Sequence, residues 1–336
     1  MNLVPSLFIL SLPKAELHLH LEGSILPTTL LELRQRRGTP DGSLAAIEQL
    51  YQFEDFSGFL MAFKAVTEHL QSPDDYELIA YRLMERLKSE NVLHAEVYVS
   101  VGVCLWRKQE FDAIFEGLER GRMRGERDFG ISLLWIFDAV RQFGAEEAQR
   151  VAELAVRYHH RNVVGFGIGG DEGRAAPELF RDPYAYAAEH ALRLTVHAGE
   201  TAGPESVWGA LNLGAERIGH GLSAGQDPEL VEELAKCQIP VEICVTSNIR
   251  TGCCAGIAEH PVKSYFDRGV MITLNTDDPA MFNTSLTQEY QLVQDAFDFT
   301  DEHLREVARN SFEASFLAPE KKLAFLNLFD AAVSRS

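Results

Sequence analysis

Two histidines stand at positions i and i+2 in the short β-rich run Ala15–Glu22. Because side chains alternate along a strand, His18 and His20 would share one face, with their Cα atoms roughly 7 Å apart. Two imidazoles on one face at a strand end can bind one divalent cation. Such a pair is weak evidence alone, so the prediction depends on whether other strand ends supply further ligands.

Three later β-rich runs also end in groups that bind metals or move protons. The first contains His197 and Glu200, the second His220 between two glycines, and the third the pair Asp277-Asp278. Three histidines and one aspartate suit a hard-to-borderline divalent ion, with zinc the first choice. Adjacent aspartates on a regular strand cannot both face one ion, so one would bind the metal and its neighbour would face a substrate. The residues therefore predict a mononuclear metal site with acid–base groups beside it.

Eight short β-rich runs carry these groups, and helix-like segments separate them. The runs are Ala15–Glu22, His94–Ser100, Ile131–Asp138, Val163–Gly170, Arg193–Glu200, Arg217–Leu222, Pro240–Ser247 and Val270–Asp278. Parallel strands require such crossover helices. The pattern predicts an α/β fold, a (β/α)8 TIM barrel whose active site lies at the carboxyl ends of the strands. A doubly wound open sheet is the alternative, and we expect residues 1–336 to form a single domain.

The connection after the first run is too long for one helix, since His94 follows Ala15 by 79 residues. It contains three helix-like stretches, Pro27–Arg37, Phe53–Leu70 and Pro73–Glu90. We expect these inserted helices to lie over the carboxyl-end rim of the barrel. The middle stretch has phenylalanines every three or four residues, which is typical of either a buried helix face or an apolar lid over a ligand.

Composition excludes several classes of function. The chain has 31 basic and 50 acidic residues, a formal net charge of −19, and such a surface repels nucleic acid and anionic membranes. Five cysteines with no Cys-x-x-Cys pair fit a reducing compartment, so we expect a cytoplasmic protein without a thiolate zinc site. The apolar first twelve residues lack a basic n-region and are too short to span a bilayer. None of this predicts the oligomeric state.

Two further motifs match known signatures by letter only. Gly165-x-Gly167-x-x-Gly170 fits a dinucleotide-binding fingerprint, but these glycines lie inside a predicted strand and do not open a helix. The segment Gly221–Gly225 fits a nucleophile elbow, yet the next predicted helix begins only near Asp227. We therefore expect neither a dinucleotide site nor a serine hydrolase.

The segment Pro13–Ser24 resembles the opening signature of the adenosine deaminase family, within the amidohydrolase superfamily. Four later segments resemble the family's other motifs in the same order: His197–Glu200, Gly219–Gly221, Ser247-Asn248 and Asn275–Pro279. The resemblance extends from about residue 13 to near residue 290, and the motifs are specific as a set. It implies a TIM-barrel hydrolase that removes the amino group of a purine.

The resemblance also implies roles for the residues. One zinc ion per chain would be held by His18, His20, His197 and Asp277. The zinc would supply hydroxide at neutral pH by lowering the pKa of water. Glu200 would protonate N1 of a 6-aminopurine, which requires a raised pKa. His220 would orient or deprotonate the nucleophile, and Asp278 would accept a hydrogen bond from the hydroxyl or the leaving ammonia.

The implied substrate contacts come from several segments. The backbone N–H of Gly170 would contact the purine ring, and Glu22 would lie near the ribose. The apolar lid would consist of Phe59, Leu60 and Phe63, and His20 and Asp278 would border the substrate as well.

The substrate within the family is the open question. Adenosine deaminases usually have Asp where this chain has Glu22 and Gly167. Glu22 resembles the adenine deaminase branch, whereas Gly219 before His220 resembles the nucleoside branch. Similar Glu and Gly-Gly variants occur in bacterial aminodeoxyfutalosine deaminases of menaquinone biosynthesis, and Gly167 leaves room for a larger 5′ substituent. We expect zinc-dependent deamination of an adenosine-type nucleoside to an inosine-type product and ammonia, with aminodeoxyfutalosine and then adenine as alternative substrates.

Two rival functions use the same barrel. One is a metal-dependent hydrolase of amides or phosphoesters, which often bridges two metals with a carbamylated lysine. No lysine ends the third to fifth runs, so a mononuclear deaminase is favoured. The other is a catalytically silent barrel that binds purines or metal, which would not require Glu200 or His220.

Overall fold

The computed structural model describes residues 4–38 and 43–334. Within these residues, eight parallel strands pair in chain order, β1 to β8, as the predicted TIM barrel requires. Each predicted run overlaps one strand, and β1, β2 and β3 extend one or two residues beyond their runs. The strands are β1 Lys14–His20, β2 Val92–Val99, β3 Ser132–Val140, β4 Val163–Gly169, β5 Arg193–Ala198, β6 Arg217–His220, β7 Val241–Ile243 and β8 Ile272–Leu274. The barrel prediction is confirmed.

Each connection between successive strands contains at least one helix. In the described ranges the helices are α1 Leu7–Ser11, α2 Pro27–Arg36, α3 Leu44–Glu48, α4 Phe56–Thr67, α5 Pro73–Ser89, α6 Val101–Trp106, α7 Phe111–Phe129, α8 Ala145–Tyr158, α9 Arg181–Glu189, α10 Pro204–Asn212, α11 Pro228–Cys237, α12 Val245–Arg250, α13 Val262–Asp267, α14 Pro279–Phe282, α15 Leu286–Phe297, α16 Asp301–Ala314 and α17 Pro319–Val333. Among them, no helix has both the length and the apolar character needed to cross a membrane.

The long connection after β1 forms the predicted helices α2, α4 and α5, together with the short α3, which the sequence pattern did not indicate. Helix α5 begins at Pro73 behind a capping box, in which Ser72 and Asp75 satisfy each other's backbone N–H groups. Helix α4 lies over the carboxyl ends of the strands, because seven of its residues line the cavity there. The insertion therefore covers the end of the barrel where the predicted site residues lie.

The barrel closes between β8 and β1 through backbone contacts just beyond the end of β8. Leu19 forms an isolated parallel bridge with Asp277. The N–H of His20 donates to the carbonyl of Asp277 at 2.8 Å, and the N–H of Asp277 donates to the carbonyl of His18 at 3.0 Å. These bonds hold Asp277 directly beside the two histidines of β1.

The last strands are shorter than their predicted runs. Strand β7 ends at Ile243, and the residues predicted to extend it start helix α12 at Val245. Strand β8 ends at Leu274, four residues before Asp278. The physical reason is that the chain after β7 turns into a helix, and that the residues after β8 keep only isolated backbone hydrogen bonds, such as those of Asn275 to β7 and of Asp277 to β1.

Candidate active site

One ligand atom from each of four predicted metal ligands lies within 4.8 Å of the other three: His18, His20, His197 and Asp277. The Nε2 atoms of His20 and His197 are 3.0 Å apart. Asp277 Oδ1 lies 3.3 Å from His20 Nε2 and 3.5 Å from His18 Nε2. All four residues are at most 8% exposed. Strands β1 and β5 and the segment after β8 thus bring together a three-nitrogen, one-carboxylate donor set that suits a divalent ion.

The hydrogen bonds behind the cluster leave its ligand atoms free for a metal. His18 Nδ1 lies 2.7 Å from Glu242 Oε2, and His197 Nδ1 lies 3.0 Å from the carbonyl oxygen of Ile168. Since these oxygens accept hydrogen bonds, both Nδ1 atoms carry the proton and both Nε2 lone pairs face the cluster. In the part of the chain that is described, the buried Nε2 of His18 has no hydrogen-bond partner. A metal ion would satisfy that nitrogen, so the residues fit the predicted metal.

Beside the metal cluster lies a second group of polar side chains. Ligand atoms of Glu200, His220 and Asp277 also lie within 4.8 Å of one another. Ser247 Oγ donates to Asp277 Oδ2 at 2.7 Å, and Asn248 Nδ2 lies 3.1 Å from His220 Nδ1. Two neighbouring residues in the middle of α12 therefore orient one carboxylate and one imidazole of the site.

Two of these residues have left-handed backbone conformations. The φ angles of His220 and Asp277 are 64° and 62°. Such angles are uncommon for residues other than glycine and persist where the surrounding structure enforces them, often at functional sites. The conformation takes both residues out of regular strand alternation and lets adjacent Asp277 and Asp278 both reach the cavity.

The surroundings of the Glu200 carboxyl group favour its protonated form. Burial raises the pKa of Glu200 well above its usual value, and the Asp277 carboxylate raises it further. The backbone of Glu200 is fixed by Glu172, whose carboxylate accepts N–H bonds from Gly199, Glu200 and Thr201 at 2.8, 2.8 and 2.7 Å. Burial lowers the pKa of His220 to about 3, which keeps that imidazole neutral. The pair combines a proton donor and a neutral base.

Asp278 depends on a glycine for its position. A Cβ atom on Gly23 would lie only 1.7 Å from Asp278 Oδ1. Asp278 is 3% exposed, and burial raises its pKa well above the usual value, with Asp277 adding to the effect. Its Oδ1 has no hydrogen-bond partner among the described residues, so it is available to a ligand.

A cavity of about 340 Å³ opens above these groups. Its inner end is bordered by the metal cluster, Glu200, His220 and Asp278, and its outer wall is largely apolar. Phe59, Leu60 and Phe63 of α4 line it, as does Gly170 after β4. Cavities of this size and character bind small molecules. The structure thus places most of the predicted substrate contacts around one cavity.

Glu22 lies behind the cavity wall. Its Oε1 accepts the backbone N–H of Ser100 at 3.0 Å, and its Oε2 lies 3.3 Å from Ser100 Oγ. Ser100 itself lines the cavity. The predicted contact between Glu22 and a substrate would therefore act through Ser100.

Three buried acids of the site escaped the sequence analysis: Glu172, Glu242 and Asp138. Glu242 and Asp138 lie in otherwise apolar strands, and a charged residue within a buried strand is the signal that could have identified them. Glu172 begins a short 3₁₀ turn after β4 and carries no comparable local signal. All three are at most 5% exposed.

Comparison with known proteins agrees with this geometry. The family model for adenosine deaminase matches residues 13–332. An aminodeoxyfutalosine deaminase from Streptomyces avermitilis is 39% identical over 92% of this chain and 88% of its own length. An adenine deaminase from Streptomyces coelicolor is 37% identical over 94% of this chain and 93% of its own. The fold also matches the crystal structure of an amidohydrolase from Burkholderia ambifaria with bound zinc, at a TM-score of 0.89 and 28% identity. The match covers 98% of this chain and 93% of the Burkholderia chain.

Proposed function

The chain is a deaminase that belongs to the adenosine deaminase family, and from this premise we propose that it deaminates aminodeoxyfutalosine in a zinc-dependent hydrolysis that releases ammonia. The sequence analysis put an adenosine-type nucleoside first and aminodeoxyfutalosine second. The comparisons favour that alternative, because the relatives reported above act on aminodeoxyfutalosine or adenine. The single observation that carries the reaction is the four-ligand cluster beside a buried, proton-holding Glu200.

Zinc is the metal that the donor set favours. Three imidazole nitrogens and one carboxylate match its preferences, and the related amidohydrolase from Burkholderia ambifaria contains zinc. His18, His20, His197 and Asp277 would hold one ion per chain. When bound, zinc supplies a hydroxide nucleophile at neutral pH and stabilises developing negative charge.

The chain's own residues handle the protons. Glu200, whose raised pKa favours its protonated form, donates to N1 of the purine as the ring gains electron density. His220 remains neutral and is held by Asn248, and it would orient or deprotonate the attacking water. Asp278 accepts a hydrogen bond from the incoming hydroxyl or the leaving ammonia, and the N–H of Gly170 contacts the ring.

The cavity supports a substrate larger than a free base. It extends from the metal cluster past the lid residues Phe59, Leu60 and Phe63 to Trp106 and Phe143. A purine held against the metal cluster would leave this outer part without a ligand. Adenine is the second candidate substrate, favoured by the 37% identical adenine deaminase.

Steady-state kinetics distinguish the two substrates. Ammonia release from aminodeoxyfutalosine, adenosine and adenine is compared by kcat/KM with the metal-loaded protein, since this ratio measures discrimination between substrates. We expect aminodeoxyfutalosine to be preferred over both by about tenfold or more. A higher kcat/KM for adenine would assign the chain to the second candidate function, and no deamination of any of the three would support a silent barrel.

A further inference from the structure

One buried carboxyl group in the cavity wall has no part in the reaction described above. Asp138 is 4% exposed, lies near the carboxyl end of β3 and lines the cavity. Its Oδ1 has no hydrogen-bond partner in the described part of the chain. A buried polar atom without a partner costs free energy unless a ligand supplies one. Asp138 is therefore an unused hydrogen-bonding group in the wall of the cavity.

The neighbouring strand makes room for this side chain. Asp138 is the Cα partner of Gly167 in the pairing of β3 with β4. A Cβ atom on Gly167 would lie 3.1 Å from Asp138 Oδ1, and one on Gly169 would lie 3.1 Å from Asp138 Oδ2. Both contacts are tighter than ordinary packing. The absence of side chains at alternating positions of β4 leaves a space that the Asp138 carboxyl group fills.

The position of β3 indicates which part of a substrate reaches Asp138. Of the proton-transfer groups, Glu200 follows β5 and His220 ends β6, and Asp277 follows β8. In strand order, β3 lies across the barrel from β6 to β8. The carbon that carries the amino group must face the metal cluster, so the opposite edge of the purine, with N9 and its sugar, faces the wall that contains Asp138 and Ser100.

We propose that Asp138 hydrogen-bonds a sugar hydroxyl of the substrate and thereby selects nucleosides over free purine bases. This inference rests on the proposed function, because it assigns the sugar-binding part of the same site. A hydroxyl both donates and accepts, so it can pair with a carboxyl group in either protonation state, whereas an unprotonated ring nitrogen can only accept. Burial raises the pKa of Asp138 well above its usual value, which makes the protonated, donating form available as well.

Binding of product-like ligands tests the inference without requiring turnover. Isothermal titration calorimetry of the zinc-loaded protein measures its affinities for inosine and for hypoxanthine. Their ratio is the preference for nucleoside over base. In Asp138→Ala we expect inosine affinity to fall about tenfold or more and hypoxanthine affinity to stay within about twofold. Asp138→Asn keeps the shape and some hydrogen-bonding capacity of the side chain. Its inosine affinity should lie between those of the wild type and Asp138→Ala. The exposed Asp182→Asn is the charge-matched control and should match the wild type.

Equal loss of both ligands in Asp138→Ala, or loss of neither, would overturn the inference. So would a wild-type protein that does not prefer inosine to hypoxanthine. These outcomes are separate from the fate of the proposed function. If the wild type turns over aminodeoxyfutalosine and Asp138→Ala still prefers inosine to hypoxanthine, the proposed function stands and the role of Asp138 is excluded. A protein that deaminates nothing can still show the predicted change in preference.

Discussion

His18 Nδ1 and Glu242 Oε2 lie 2.7 Å apart inside the barrel. Glu242 Oε1 is in turn 2.6 Å from Arg217 Nε, and Arg217 Nη1 is 2.5 Å from Glu96 Oε2. All four side chains are fully buried. A carboxylate behind a ligating histidine fixes its tautomer and ring orientation. A metal ligand on β1 is thus oriented by charged side chains from β7, β6 and β2.

The first prediction concerns this contact. Glu242→Gln should weaken metal binding about 10- to 100-fold, because a neutral amide holds the Nδ1 proton of His18 less strongly. Competition with a chromophoric chelator measures the affinity. The exposed Glu232→Gln serves as the matched control, and thermal unfolding checks that both variants fold. Equal metal affinity in Glu242→Gln and the control would contradict the orienting role.

The second prediction concerns proton donation by Glu200. Glu200→Gln keeps the shape of the side chain but removes its acidic proton, so kcat should fall about 10²- to 10⁴-fold. Metal content should remain at the wild-type value, since Glu200 is not one of the four predicted ligands, and inosine should still bind, because the glutamine amide oxygen can accept a hydrogen bond from N1–H of inosine. Ammonia release, metal analysis and titration provide the three readouts. Unchanged turnover would exclude Glu200 as the acid.

The third prediction is the pH dependence of kcat/KM. Glu200 must be protonated to act as an acid, and its pKa is raised. Activity should therefore persist well above the pH at which an ordinary glutamate ionises, and decline as pH rises through the raised pKa. The residual activity of Glu200→Gln should lack this alkaline decline. The same decline in both proteins would assign it to another group.

The fourth prediction concerns the packing of Gly23 against Asp278. Gly23→Ala would place a Cβ atom 1.7 Å from Asp278 Oδ1, so the carboxyl group must move. We expect loss of about 1–3 kcal/mol in the free energy of unfolding, together with a strong loss of activity. Gly225→Ala, at an exposed position where the nearest atom is 3.4 Å from the new Cβ, is the control. Wild-type stability and activity in Gly23→Ala would show that the site tolerates displacement of Asp278.

Local sequence predicted those parts of the molecule that depend on local patterns. His18 and His20 share a face because strand alternation is a property of neighbouring residues, and the barrel follows from eight similar units. Glu242 escaped detection because its partner His18 lies 224 residues away along the chain. Glu22 looked like a substrate contact beside the histidines, but the short 3₁₀ turn Glu22–Ser24 directs its carboxyl group toward Ser100.

The substrate was harder to predict than the reaction. The chemistry depends on residues with distinctive types and spacing, such as His197 and Glu200. Substrate size depends on where small residues leave space for a ligand, and the space beside Gly167 is taken up by the Asp138 carboxyl group on the neighbouring strand. Such complementarity between strands is not visible in either segment alone.

The most direct test of the account measures metal content and deamination in the same sample. The protein is stripped with a chelator, reloaded with increasing zinc, and assayed for bound zinc and for ammonia release from aminodeoxyfutalosine, alongside His197→Ala. We predict that activity is lost on stripping, returns in proportion to zinc up to one ion per chain, and is absent with little bound zinc in His197→Ala. Full activity in the stripped protein, or wild-type zinc content in His197→Ala, would contradict the account.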